Sequence, residues 1–203
     1  FVFFDTYIKK RSQWKRNCQK RFTLLDTSLN KVCMNFELVT ENNMDYLRQE
    51  SSPFDFENPP CDANDLANGI HDYVQAVEAF GVSGVQLSFP YRVFGVYVES
   101  NKFAVMFNPQ LILSNDTNKV NESEGCLSFP NLFLNINRPK DVCVNYQDTT
   151  GKLNTIELKD YYARGFLHEL DHLNGVVFID YVGKLALKMA RKKVHKHNKR
   201  KGK

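Results

Sequence analysis

The sequence predicts an α+β fold in which antiparallel β-sheets pack around one central, buried helix carrying His168-Glu169-Leu170-Asp171-His172. Three observations lead there. Tyr162, Phe166, Leu170 and Leu173 recur at helical spacing through that segment, so the helix is apolar over much of its surface. Strand-like runs separated by turn residues fill much of the remaining chain, with a hairpin signal between residues 142 and 158. Alternating β-α-β units, the mark of a parallel sheet, are few.

Taken in order, the chain begins with Phe1 and carries eight basic and two acidic residues over 1–35. This basic N-terminal extension reads in two ways: an Arg-rich, acid-poor organelle transit segment, or, the preferred reading, sequence upstream of a start at Met34. Ser51 to Pro60 is polar and Pro-bearing and should be loop. Asp62 can cap a helix with Leu66, Ile70, Tyr73, Val74, Val77 and Phe80 on one face. Arg92 to Val98 and Phe103 to Phe107 read as strands about a turn at Ser100-Asn101, and Asn108-Pro109 opens another strand over Leu111 to Leu113. The polar run Ser114 to Ser123 should be a surface loop. Val142 to Tyr146 alternates and turns at Gly151 into Leu153 to Leu158. Asp160 is a reasonable N-cap for the central helix, Asn174-Gly175 closes it, and Val176 to Ile179 reads as a last short strand. Gly165 costs about 1 kcal/mol against Ala inside a helix, which implies that something packs close to it.

Composition narrows the functional classes. With 42% hydrophobic and 13% aromatic residues the chain can build a core, which excludes disorder throughout. The cysteines at 18, 33, 61, 126 and 143 are odd in number and irregularly spaced, pointing to a reducing compartment rather than a disulfide framework. No run approaches the eighteen apolar residues of a membrane span. Residues 184–203 hold ten Lys and Arg and no acid, so with a net charge of +4 overall the body between the two basic ends is strongly acidic. Basic ends of this kind are solvated tails or contacts to a polyanion.

The chemistry concentrates in the central helix. Residues four apart share a helix face, so His168 and His172 can turn ring nitrogens toward one metal ion, while Glu169 stands beside it as a proton acceptor. A catalytic metal with an open position needs a further protein ligand, for which a carboxylate, a third His or a Cys is a candidate. His71 lies in another helix, and His195 and His197 lie in the tail. Cys126 is better placed, because Glu124-Gly125-Cys126-Leu127-Ser128 makes a Gly-containing turn open to close backbone approach. The plainer alternative for Cys126 is a small buried hydrophobe.

Those two stretches together resemble the second and third signature motifs of peptide deformylases. That family's first motif, G-φ-G-φ-A-A-x-Q, finds a counterpart in Ala79-Phe80-Gly81-Val82-Ser83-Gly84-Val85-Gln86. Gly81 and Gln86 are kept, whereas Ala79 replaces the first Gly and Ser83-Gly84 the usual Ala pair. The resemblance places a catalytic domain at 36–183 followed by a basic helix or tail at 184–203. It implies metal-dependent release of formate from the N-formylmethionine of newly made polypeptides, with Cys126, His168 and His172 as ligands and Glu169 as base then acid. Gln86 and the Leu127 backbone N–H would stabilise the oxyanion. The donor set suits Fe(II) or Zn(II), with Ni or Co also compatible. Gly81 leaves backbone free to pair with an extended substrate, and Tyr161 and Gly165, one to two turns before His168, would line the methionine pocket. Core packing explains Tyr161 as well. Glu124 would support the Cys turn or position Arg138. Resemblance to bacterial members also implies that the basic tail docks on ribosomal RNA, in the cytoplasm of a bacterium or phage-infected host, an organelle being a further setting. Two other readings stand beside this one: an ordinary H-E-x-x-H metallopeptidase, and a non-catalytic ribosome-binding paralogue.

Overall fold

The computed structural model describes residues 36–115 and 117–201; the basic extension expected over 1–35, with Cys18 and Cys33, lies outside the described residues. In chain order the elements are α1 (Met44–Leu47), α2 (Ala63–Val77), β1 (Gly81–Ser83), β2 (Val93–Glu99), β3 (Lys102–Ser114), β4 (Lys119–Cys126), β5 (Phe129–Pro139), β6 (Asp141–Gln147), β7 (Leu153–Lys159), α3 (Asp160–Leu173) and α4 (Lys184–Lys201). The α+β prediction holds: strands β1-β2-β3-β6-β7 form an antiparallel sheet, β4 and β5 pair separately, and α3 is the central helix.

The alternation of side chains along a strand explains how one sheet serves two cores. In β2 and β3, Val93, Tyr97, Phe103, Val105 and Phe107 face α2, joining Leu66, Ile70, Val74 and Val77. Their neighbours Phe94, Val96, Val98, Ala104 and Met106 face α3, joining Ala163, Phe166, Leu170 and Leu173. Both faces of β2 are therefore covered, and its sequence reads as a nearly unbroken apolar run. Each fully buried Val, Leu or Phe contributes about 1.5–3 kcal/mol. A third cluster, with Phe129, Leu132, Leu134, Ile136 and Phe178, backs the β4–β5 ribbon.

Asp62 caps α2 as expected, accepting from the backbone N–H groups of Asn64 and Asp65 at 2.9 Å each. The helix stops at Val77, however, so Phe80 lies beyond it and is 38% exposed. Its ring packs over Gly165, where an added Cβ would collide with it and lie 3.2 Å from Val96. That is the close neighbour which the mid-helix glycine implies. At the start of α3 the N-cap is Lys159 rather than Asp160, which is the first helical residue and has φ 52°.

Three further expectations are corrected. The stretches Phe103–Phe107 and Leu111–Leu113 are one strand, bulged near Asn108. There the Asn108 side chain donates to Phe54 O at 2.9 Å and accepts from Phe54 N at 2.8 Å, standing in for a strand neighbour where Pro109 breaks the ladder. The polar segment expected as a loop over 114–123 ends β3 and then enters β4, paired with β5 from Lys119↔Pro139 onward. Val176–Ile179 is not a strand: Phe178–Tyr181 is a 3-10 turn, with Asp180 accepting from Val177 N at 3.2 Å. The segment expected as a basic helix or tail over 184–203 is helical from Lys184 through Lys201. Leu187, Ala190 and Val194 pack against the third cluster, and Arg191 pairs with Glu41 at 2.8 Å.

Candidate metal centre

Helix α3 presents His168 and His172 one turn apart, their ring centroids separated by 5.1 Å. The end of β4 brings Cys126 to the same point, its Sγ 3.2 Å from His172 Nε2. A register shift between Gly125 and Cys126 turns the strand there. One donor atom from each of Cys126, His168 and His172 lies within 4.8 Å of the other two. The three residues are 8%, 9% and 1% exposed, so water competes little for them.

Glu169 is 5% exposed, and its Oε2 has no hydrogen-bond partner among the described residues. A buried carboxylate oxygen without a donor is costly unless something else occupies its neighbourhood. Burial pushes the Glu169 carboxyl up to about 7; the charge of His168 opposes this and that of Glu124 adds to it. A group so placed can both take and return a proton near neutral pH. Gly81 makes the approach possible, because a Cβ there would lie 2.9 Å from Glu169 Oε1. β1, which carries Gly81, is an edge strand of its sheet.

Behind the donors lies a buried charge cluster centred on Glu124. Its carboxylate accepts from Arg138 Nε at 2.8 Å and Nη2 at 3.0 Å, and from Arg164 Nη1 at 2.7 Å. His168 Nδ1 stands 3.1 Å from its other oxygen. With Nδ1 donating to that carboxylate, Nε2 is the ring nitrogen free to ligate a metal ion. Burial alone would raise the Glu124 carboxyl, but His168 and Arg138 hold it well below the ordinary carboxylate range. Burial would likewise depress His168, yet bonds to the Cys126 sulfur and to Glu124 leave it raised. His172 is depressed, first by burial and then by the charges of His168 and Arg138. Arg138 also donates to Asp171 at 2.6 Å, which places that carboxylate in the supporting layer around α3. The sequence reading anticipates Arg138 and misses Arg164. The signal for Arg164 was its spacing, four residues before His168 on the same helical face.

Gln86, 2% exposed in a 3-10 turn, directs Nε2 to Cys126 Sγ at 3.3 Å and Ser128 Oγ at 3.1 Å. Leu127 follows Cys126 directly and is buried. Tyr161 sits on the outer side of α3, 37% exposed, and Gly165 is covered by Phe80. One cysteine sulfur and two imidazoles fit a divalent cation, by donor chemistry and by spacing, with the unpartnered Glu169 oxygen beside them.

Comparison with known proteins decides the family. The profile of the polypeptide deformylase family matches residues 36–188. The chain belongs to that family. It is 33% identical over 159 residues to the peptide deformylase of Bartonella henselae, covering 76% of this chain and 89% of the relative. The Rhizobium meliloti peptide deformylase is 34% identical over 160 residues, covering 77% and 90%. The crystal structure of the Thermotoga maritima peptide deformylase superposes with a TM-score of 0.65 at 30% identity, over 73% of this chain and 97% of that one. The Legionella pneumophila peptide deformylase gives 0.69 at 25% identity, over 83% and 98%. Peptide deformylases are metal-dependent hydrolases that remove the formyl group from N-formylmethionine on nascent polypeptides, and this deformylase does the same. The metallopeptidase and non-catalytic readings are not favoured. No helix among the described residues is long and apolar enough to cross a membrane.

Proposed function

We propose that Cys126, His168 and His172 hold one divalent cation, Fe(II) or Zn(II) with Ni or Co as substitutes, at the catalytic centre of this deformylase. The observation that carries this is the convergence of the three donor atoms within 4.8 Å, from positions far apart in the sequence. When bound, the ion supplies a Lewis acid that activates water for attack on a carbonyl near neutral pH. Glu169 takes the proton of the attacking water on its buried carboxylate and returns it to the leaving amine. The Gln86 Nε2 and the Leu127 backbone N–H donate to the oxygen on which negative charge grows. The formyl-methionyl chain lies along the free edge of β1 beside Gly81, with Tyr161 and Gly165 toward the methionine side chain. In this reading residues 36–183 are the catalytic domain and 184–203 an appended basic helix.

The test is formate release from a formyl-methionyl tripeptide against cleavage of an unblocked peptide. Formate should appear from the first, with no internal cleavage of the second. Internal cleavage without formate would overturn the reading.

We assign α4 to the ribosome, in a cytoplasm or organelle where formylated chains are made. Leu187, Ala190 and Val194 are occupied by the core, while Lys192, Lys193, Lys196 and Lys199 face solvent. Substituting these four by Gln should weaken ribosome binding and flatten its salt dependence by up to about four units of log-log slope. Turnover of the free tripeptide should be unchanged. Ribosome affinity equal to wild type would remove this assignment.

A further inference from the structure

The first motif departs from the family pattern at Ser83, and the structure shows what its hydroxyl touches. Ser83 is fully buried in β1, and its Oγ donates to Gln86 Oε1 at 3.0 Å. The Ser83 backbone N–H donates to the same oxygen at 3.0 Å. A backbone N–H can only donate, so the acceptor must be the amide oxygen, and the orientation of the carboxamide follows. Both lone pairs of Oε1 are then engaged, and the NH₂ group is turned toward Cys126 Sγ and Ser128 Oγ. The backbone beneath is fixed too: Val39 N donates to Gln86 O at 2.8 Å, and Gly84 N to Val93 O at 2.8 Å. Only the side-chain torsions of Gln86 are left to be held, and Ser83 holds their far end.

We infer that Ser83 is a positioning residue for deformylation. Its hydroxyl clamps the Gln86 oxygen, so that the amide hydrogens stay aimed into the metal centre and are more strongly polarised toward an incoming carbonyl oxygen. An alanine at this position leaves one clamp, the backbone N–H, where this chain has two. Hydrogen bonds in a chain polarise one another, so the second acceptor contact at Oε1 strengthens donation at Nε2. The inference rests on the assignment of Gln86 to the oxyanion.

The test is a double-mutant cycle on the metal-loaded enzyme with a formyl-methionyl tripeptide: wild type, Ser83→Ala, Gln86→Ala and the double variant. Ser83→Ala should lower kcat about three- to tenfold, the range of one lost hydrogen bond, with KM little changed. In the Gln86→Ala background the same substitution should cost nothing further, because its target is gone. A purely structural serine would instead lower Tm and reduce kcat by the same factor in both backgrounds, and that result overturns the inference, as does an unchanged kcat. If Ser83→Ala fails to fold, Ser83→Cys, nearly isosteric but a weak donor, carries the same comparison. Wild type that releases no formate would instead defeat the functional reading itself.

Discussion

Glu169→Ala is expected to retain one metal ion per chain and to lose deformylation by about 10²–10⁴-fold, the usual worth of a positioned general acid–base group. The two halves of this expectation come from different contacts. The three donors that converge on one point do not include the Glu169 carboxylate, so metal content should be unaffected. The unpartnered Oε2 and the carboxyl raised to about 7 describe a group placed to carry protons rather than to hold an ion. Metal analysis beside formate release separates the two. A variant that loses its metal would make Glu169 a ligand or an essential support of one. A variant that keeps both metal and activity would remove it from the chemistry.

Glu124→Gln should be the most destabilising single-atom change in the supporting layer. The carboxylate is 5% exposed and answers two guanidinium groups and an imidazole. Arg138 keeps Asp171 when the charge is removed, but among the described residues Arg164 is left with the looser Glu122 pair at 3.4 Å and backbone carbonyls. Removing one partner from a buried ionic cluster costs about 3–5 kcal/mol. For a chain of this size that is a fall in Tm of roughly 6–20 °C. Glu157→Gln on the exposed side of β7 serves as the control and should stay within about 0.5 kcal/mol of wild type. Equal Tm values for the two variants would show that the Glu124 cluster does not brace the fold.

How legible the site was in the sequence depended on how local its signals are. His168, Glu169 and His172 declare themselves because a helix turns sequence spacing into geometry, and the apolar residues around them mark α3 as buried. Cys126 is legible only through the Gly-containing turn around it, since nothing in local sequence says which distant helix a strand end will meet. β4 was hidden by its own chemistry. Its inward side chains near the site are Glu124 and Cys126 rather than Val or Leu, so the alternation that marks a strand reads as a polar loop. The apolar run Val176 to Ile179 misleads in the opposite sense, because its burial comes from packing Val177 and Phe178 onto the β4–β5 ribbon rather than from strand pairing. The packing of α4 depends on three small or apolar residues spaced along a mostly basic helix, a stripe too sparse to stand out from composition. In the sequence Ser83 is a departure from a pattern; its partner, the Gln86 amide oxygen, is set by the fold.

The central claim is that a thiolate and two imidazoles share one cation. X-ray absorption at the edge of the bound metal tests it directly. One sulfur scatterer at about 2.3 Å and two imidazole nitrogens at about 2.0–2.1 Å are expected, with the sulfur shell lost in Cys126→Ala. A wild-type spectrum fitted by nitrogen and oxygen alone would contradict the account.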